Sequence, residues 1–148
     1  MRYNGGIMNH VPVAFAVALA TQMGCQLFKL VYYSIRDGRF SPRYFVSAGG
    51  FPSAHSAFVT ALTVSIGLRS GLSTDVFSVA LVLSLIVIYD AYRLRGFVEV
   101  LARRVNQLAR AVGGAQEPLP EMIGHSLPEI VTGIVVGALL AGAATVVW

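Results

Sequence analysis

The chain has 148 residues, enough for one domain and not comfortably for two. Hydrophobic residues make up 55% and charged residues only 12%, where a soluble globule carries about 25% charged residues; this excludes a disordered chain and argues against a soluble enzyme. Eleven Lys and Arg against seven Asp and Glu leave a net charge of +4, yet no basic cluster is interleaved with aromatics, so nucleic acid is excluded as a partner and the excess reads as membrane topology. The single cysteine, Cys25, cannot form an intramolecular disulfide. The expected fold is all-α: one membrane-embedded domain over residues 1–148, a bundle of about four transmembrane helices plus one amphipathic or extended helix.

The first predicted span runs from about Val11 to Val31 and is nearly uncharged, with Lys29 late enough for its ammonium to snorkel outward. A lone Arg2, an apolar stretch too long for a signal-peptide core and a poor lipoprotein site at Gln22-Met23-Gly24 make it a mature span. The second, about Ala54 to Leu68, is short and carries several Ser and Thr; the third, Val76 to Tyr89, is almost wholly Val, Leu and Ile. From Ala91 to Val112, Leu94, Phe97, Val98, Leu101, Val105, Leu108 and Ala109 recur every three or four residues, with Arg95, Glu99, Arg103, Arg104 and Arg110 mostly between them. That is an amphipathic helix, extending the third span or lying on the membrane surface. Gly113-Gly114 ends it, Pro118 and Pro120 hold the chain open, and the fourth span follows from about Ile130 to Trp148. Gly133, Gly137 and Ala141 form a stripe of small residues on it that suits close helix packing. Tyr32, Tyr33, Tyr44, Tyr89 and Tyr92 fall near span ends, where an interfacial belt explains them.

Four alternating spans put both long loops on one face. With Lys29 counted beside its loop, that face holds Lys29, Arg36, Arg39, Arg43, Arg93, Arg95, Arg103, Arg104 and Arg110, and the other only Arg2 and Arg69. The bias makes the loop face cytoplasmic and puts both termini outside.

Candidate chemistry gathers on that face. Gly49-Gly50-Phe51-Pro52-Ser53-Ala54-His55 is a glycine-rich turn leading into a helix start, whose free N–H groups suit a phosphate. Ser53 is either a plain N-cap or a donor to a phosphoryl oxygen, and His55 either an interfacial polar residue or a proton donor to a leaving alkoxide. In Gly124-His125-Ser126-Leu127-Pro128-Glu129, Glu129 stands four residues beyond His125 and could hold its ring as a nucleophile requires. Ser126 and Glu129 also form a capping box, and a carboxylate used there leaves His125 just outside the helix. Lys29, Arg36, Arg93 and Arg95 supply fixed positive charge for a phosphoryl group, or merely follow the positive-inside rule.

Together these residues resemble the divergent branch of the type 2 phosphatidic acid phosphatase superfamily, which is related to vanadium-dependent haloperoxidases. Lys29 with Arg36 is similar to its first motif, a lysine and an arginine separated by six residues; Pro52-Ser53-Ala54-His55 is similar to the second, usually Pro-Ser-Gly-His; His125 with Glu129 is similar to the end of the third, a histidine followed four residues later by aspartate. The branch also carries a stretch like Tyr89-Asp90-Ala91 through Arg95 to Asn106, and a Gly-His followed by proline and glutamate. The resemblance implies that His125 attacks phosphorus and carries a phosphohistidine, that Glu129 orients it, and that His55 protonates the leaving group. It further implies that Ser53 and the backbone near Ala54 hold the phosphoryl oxygens while Lys29 and Arg36 neutralise their charge. The family arginine six residues before the nucleophile is Leu119 here, with Arg95 the candidate substitute; Asp37 and Ala54 stand where the family has proline and glycine, and Gly96 where the branch often has a second arginine.

The expected function is therefore metal-independent, cofactor-free hydrolysis of a lipid phosphate monoester at the cytoplasmic face of a bacterial inner membrane, with phosphatidylglycerophosphate or phosphatidate as substrate. The expected partners are the bilayer and that lipid, with homo-oligomerisation left open. The alternatives are a non-catalytic phospholipid-binding or transport protein that retains the pocket, and a structural subunit that binds its partner through the small-residue stripe.

Overall fold

The computed structural model describes residues 12–47, 49–113, 117–120 and 124–147. The expected placement of Arg2 and the first ten residues, and the end of the fourth span at Trp148, lie outside them. Six helices appear among the described residues: α1 (Val13–Arg36), α2 (Arg43–Val46), α3 (Ala54–Ser70), α4 (Asp75–Tyr92), α5 (Leu94–Ala111) and α6 (Leu127–Val147). No strand occurs among them, and the protein is an all-α membrane helical bundle.

Three stretches are long and apolar enough to cross a bilayer: Val13–Arg36, Asp75–Ala111 and Leu127–Thr145. The second of the four expected spans is the exception. With 17 residues, α3 is about 25 Å long at 1.5 Å per residue, short of a roughly 30 Å hydrocarbon core. It is instead the centre of the bundle, packed against α1, α4 and α6. Its buried positions are mostly small, Ala54, Ser56, Ala57, Ala61 and Gly67 among them, so neighbours approach closely. On the α4 side the Thr63 hydroxyl donates to the Ala80 carbonyl at 3.1 Å, and Ser84 donates to the Val59 carbonyl at 3.0 Å.

On the α6 side the small-residue stripe is used up inside the chain. A Cβ at Gly133 would stand 2.4 Å from the Ser53 carbonyl oxygen, and one at Gly137 2.4 Å from that of Ala57; Ala141 is fully buried. The stripe therefore faces α3, which corrects the alternative in which it recruits a partner protein.

Between α4 and α5 the helical pattern breaks at Arg93 alone. Continuous helix over the 37 residues Asp75–Ala111 would measure about 55 Å, nearly twice the hydrocarbon core, so the chain leaves its span here. The backbone of α5 packs against α4 alone among the helices, and Leu94, Phe97, Leu101, Val105 and Leu108 lie exposed along its apolar face. α1 runs past the expected end at Val31 to Arg36 because Tyr33 is buried, and α2 is a single turn in what reads as loop.

Gly137→Ala should drive α6 off α3 and cost about 1–3 kcal/mol, the usual range for overpacking. Gly142, where an added methyl would meet nothing within 4 Å, is the control. Thermal unfolding in detergent should show a lower Tm for Gly137→Ala and an unchanged one for Gly142→Ala.

Candidate active site

The ends of α1 and α4 meet the starts of α3 and α6 at one end of the bundle, and the turn before α3 is fixed from below by α1. The Lys29 ammonium is fully buried and donates to the Gly49 carbonyl at 3.0 Å. It turns inward beneath the turn, which corrects the expectation that it snorkels to the interface. The Tyr33 hydroxyl accepts from the Phe51 N–H at 3.1 Å, so Tyr33 is a buried strut and not part of an interfacial belt. Gly50 has φ +89°, and a Cβ there would lie 2.8 Å from the Tyr33 hydroxyl; only glycine suits both demands. Ser53, fully buried, caps α3 by accepting from the Ser56 N–H at 3.3 Å, with the two hydroxyls 2.9 Å apart. The Ala54 side chain is fully buried in a cluster with Cys25 and Ala57.

Glu129 resolves the choice between capping box and histidine partner, because one oxygen serves both. Its Oε2 accepts from the Ser126 N–H at 3.1 Å and lies 3.1 Å from His125 Nδ1. A carboxylate accepts, so Nδ1 carries the proton and the lone pair of the neutral ring sits on Nε2. His125 Nε2 is buried and meets no hydrogen-bond partner among the described residues. The backbone of this segment is held as well: His125 N–H donates to the Ala91 carbonyl at 3.3 Å, and Gly124 N–H to Glu99 at 3.0 Å. A Cβ at Gly124 would stand 2.9 Å from the Gly96 Cα, so α5 and the histidine segment touch backbone to backbone. Burial pushes the His125 ring below its ordinary 6.5, against the pull of the Glu129 bond, and the Lys29 and Arg95 charges act with burial. The ring is therefore neutral at pH 7.

His55 and His125 face each other with ring centroids 6.4 Å apart. Arg95 approaches His55 Nε2 at 3.5 Å and pairs with Asp90 at 3.3 Å. A guanidinium only donates, so Nε2 is the accepting atom of that contact; Nδ1 is buried and without a partner among the described residues. Leu119 is clamped elsewhere, its N–H and carbonyl bonded to the Asn106 side chain at 2.8 and 2.9 Å. Arg36 is exposed, ion-paired with Asp37 at 3.0 Å and stacked over the Tyr33 ring. The Tyr44 hydroxyl and Arg36 together hold the Asp37 carboxyl below the usual carboxylate range.

An open groove of about 770 Å³ lies over this end of the bundle. Of the eight site residues expected from sequence, Arg36, His125 and Glu129 line it; Lys29, Ser53, Ala54, His55 and Arg95 do not, though His55 and Arg95 stand beside the histidine that does. Tyr33, Gly96, Glu99 and Arg103 also line it, and sequence reading gave them no part. Glu99 carried the only usable signal, a lone acid on the arginine-rich edge of α5. No group of three or more His, Cys, Asp or Glu among the described residues is placed to hold a metal ion.

The sequence profile of the Divergent PAP2 family matches residues 10–140, which takes in every element that builds this end of the bundle. The chain belongs to that family. A relative from Bacillus subtilis (strain 168), the uncharacterized membrane protein YuiD, is 30% identical over 138 residues, covering 83% of this chain and 87% of the relative. No solved structure matches.

Burial lowers the His125 pKa and the Glu129 bond opposes that shift, so histidine-selective NMR should find one ring that takes up its second proton below pH 6.5. Glu129→Gln removes the opposing pull and should move that midpoint still lower. A midpoint at or above 6.5 in the unaltered protein would contradict the buried geometry.

Proposed function

We propose that the protein hydrolyses a lipid phosphate monoester through a phosphohistidine at His125. The observation that carries this reading is the pairing at His125: Nδ1 on a carboxylate, and a buried Nε2 without a protein partner among the described residues, in a groove edged by arginines. A neutral imidazole so oriented is a nucleophile. Nε2 attacks phosphorus and the bond to the alkoxide oxygen breaks. His55 takes the proton of the arriving phosphate monoanion, giving up its Arg95 contact as it does so, and passes that proton to the alkoxide oxygen, which releases the lipid alcohol. Water then attacks the phosphohistidine, passes a proton to His55 and frees Nε2 with release of inorganic phosphate. Through both steps the proton stays on Nδ1, donated to the Glu129 carboxylate, whose charge stabilises the ring as it turns positive. Arg95 stands beside the His55 ring, and Arg36 reaches phosphate by exchanging Asp37 for it, an exchange of one anion for another.

The bundle end that bears Arg36, Arg39, Arg43, Arg93, Arg95, Arg103, Arg104 and Arg110 would face the cytoplasm of a bacterial inner membrane, while Arg69 closes α3 at the other end. Lipids made on the cytoplasmic leaflet then reach the groove directly, and phosphatidylglycerophosphate and phosphatidate are the candidates. A second reading, a phospholipid binder without turnover, draws on the Arg36–Asp37 pair and on the Ser53 hydroxyl, which is already committed to Ser56.

Purified protein in detergent with chelator present should release phosphate from one of the two lipids, and His125→Ala should lower that rate at least about a hundredfold. Release that survives the substitution overturns the phosphohistidine. Lipid binding with no release from either lipid moves the reading to the binder.

A further inference from the structure

A second, largely apolar groove shares a wall residue with the polar one. It lies between α4 and α6, measures about 560 Å³ and is lined by Leu85, Ile86, Tyr89, Tyr92, Leu127 and Ile130, among others, with no charged side chain in its wall among the described residues. Tyr92 lines both grooves. At the same end Leu127 follows His125 by two residues and Ile130 adjoins Glu129, so the apolar wall begins where the histidine segment stops. Leu85, Ile86, Tyr89 and Leu127 are exposed, which leaves the groove open along its side rather than sealed within the bundle. A comparable apolar cleft between α1 and α6, lined by Phe28, Phe51 and Val136 among others, has no residue in common with the polar groove.

We infer that the α4–α6 groove is the subsite for one hydrocarbon chain of the substrate, so that the lipid enters sideways from the bilayer with its phosphate at His125 and its chain along α4. The inference rests on the lipid phosphatase reading above and adds where the lipid lies. The Tyr92 wall shared by the two grooves, and the two-residue step from His125 to Leu127, are what commit the apolar one to this occupant. A tyrosine has an apolar ring and a polar tip, which suits the junction of chain and headgroup. The groove's contribution is position more than affinity. Lipid tails are as apolar as the leucines that line it, so a chain moving from bilayer to groove gains little. What it gains is a fixed distance between chain and phosphate, and binding far from the reacting bond then holds phosphorus in line with Nε2.

The test fills the groove with bulk at an exposed position and compares two substrates with the same headgroup. Ile86→Trp, with Leu127→Trp as a second variant should the first fail to fold, is assayed on dioleoyl phosphatidate and on dihexanoyl phosphatidate, whose chains are too short to depend on the groove. Leu139→Trp, exposed on α6 and outside both grooves, is the control. The expected result is a fall of at least about tenfold in kcat/KM on the dioleoyl lipid, little change on the dihexanoyl one, and neither effect in the control. Equal losses on both substrates, or none on either, overturn the inference.

Should the unaltered protein release phosphate from neither lipid, the phosphatase reading fails and the groove is read by binding. Tyr89→Trp, which puts an indole where the groove wall already has an aromatic ring, is then combined with Trp148→Phe, which removes the chain's one native tryptophan. Chain-brominated phosphatidate should quench its fluorescence several-fold more than chain-brominated phosphatidylcholine at equal mole fraction in detergent. Equal quenching by the two lipids overturns the subsite, because the groove would then hold lipid without regard to headgroup.

Discussion

Glu129 fastens the two halves of the candidate site to each other. Its side-chain oxygen holds both the Ser126 N–H and the His125 ring, while its main-chain carbonyl accepts from the Ser53 N–H at 3.0 Å. One residue thus begins α6, orients a histidine and ties that histidine's segment to the start of α3. The close α3–α6 contact continues the same seam one and two turns along, where Gly133 and Gly137 admit the carbonyls of Ser53 and Ala57. Spacing between the two histidines follows from this seam, since His55 rides on α3 and His125 on the lead into α6. A carboxylate one methylene shorter, as the wider superfamily resemblance would place here, would have to be served by a closer backbone.

The cations nearest the two histidines and in the wall of the polar groove are engaged before any ligand arrives. Lys29 spends its proton donors on a turn carbonyl, Arg95 is shared between Asp90 and His55, Arg36 is held by Asp37, and Arg103 pairs with Glu99. Such pairing keeps half-buried cations tolerable in a chain with so little other charge. An arriving phosphate therefore competes with carboxylates that are already in place. Asp37, at the position where the resemblance leads one to expect a proline, is the clearest competitor, because Tyr44 and Arg36 both grip it.

The helices were legible because membrane spans write themselves as apolar runs, and α4 and α6 began within three residues of the expected positions. The ends were harder. Nothing local shows that Tyr33 is buried, and α1 therefore seemed to stop at Val31. The pair His125 and Glu129 was legible from its four-residue spacing, and so was its rivalry with the capping box, but the outcome was not, since sequence spacing cannot reveal that one oxygen takes both donors. Lys29 was misread for a similar reason: a count of positive charges near a span end carries no information on which way a side chain turns. The Asn106 clamp on Leu119 and the Glu99 bond to Gly124 were out of reach, because both join α5 to an irregular segment more than ten residues further along.

Those last two bonds make α5 more than an appendage. Apart from α4 and the Arg95 contact with His55, the helix grips the chain that leads to α6, through Glu99 at one point and Asn106 at another, while its apolar side stays bare. Its other side meets the backbone beside His125. The Glu99 bond and the close approach of Gly96 to Gly124 fix where that backbone lies, so the residue before the histidine takes its position from a helix outside the packed bundle.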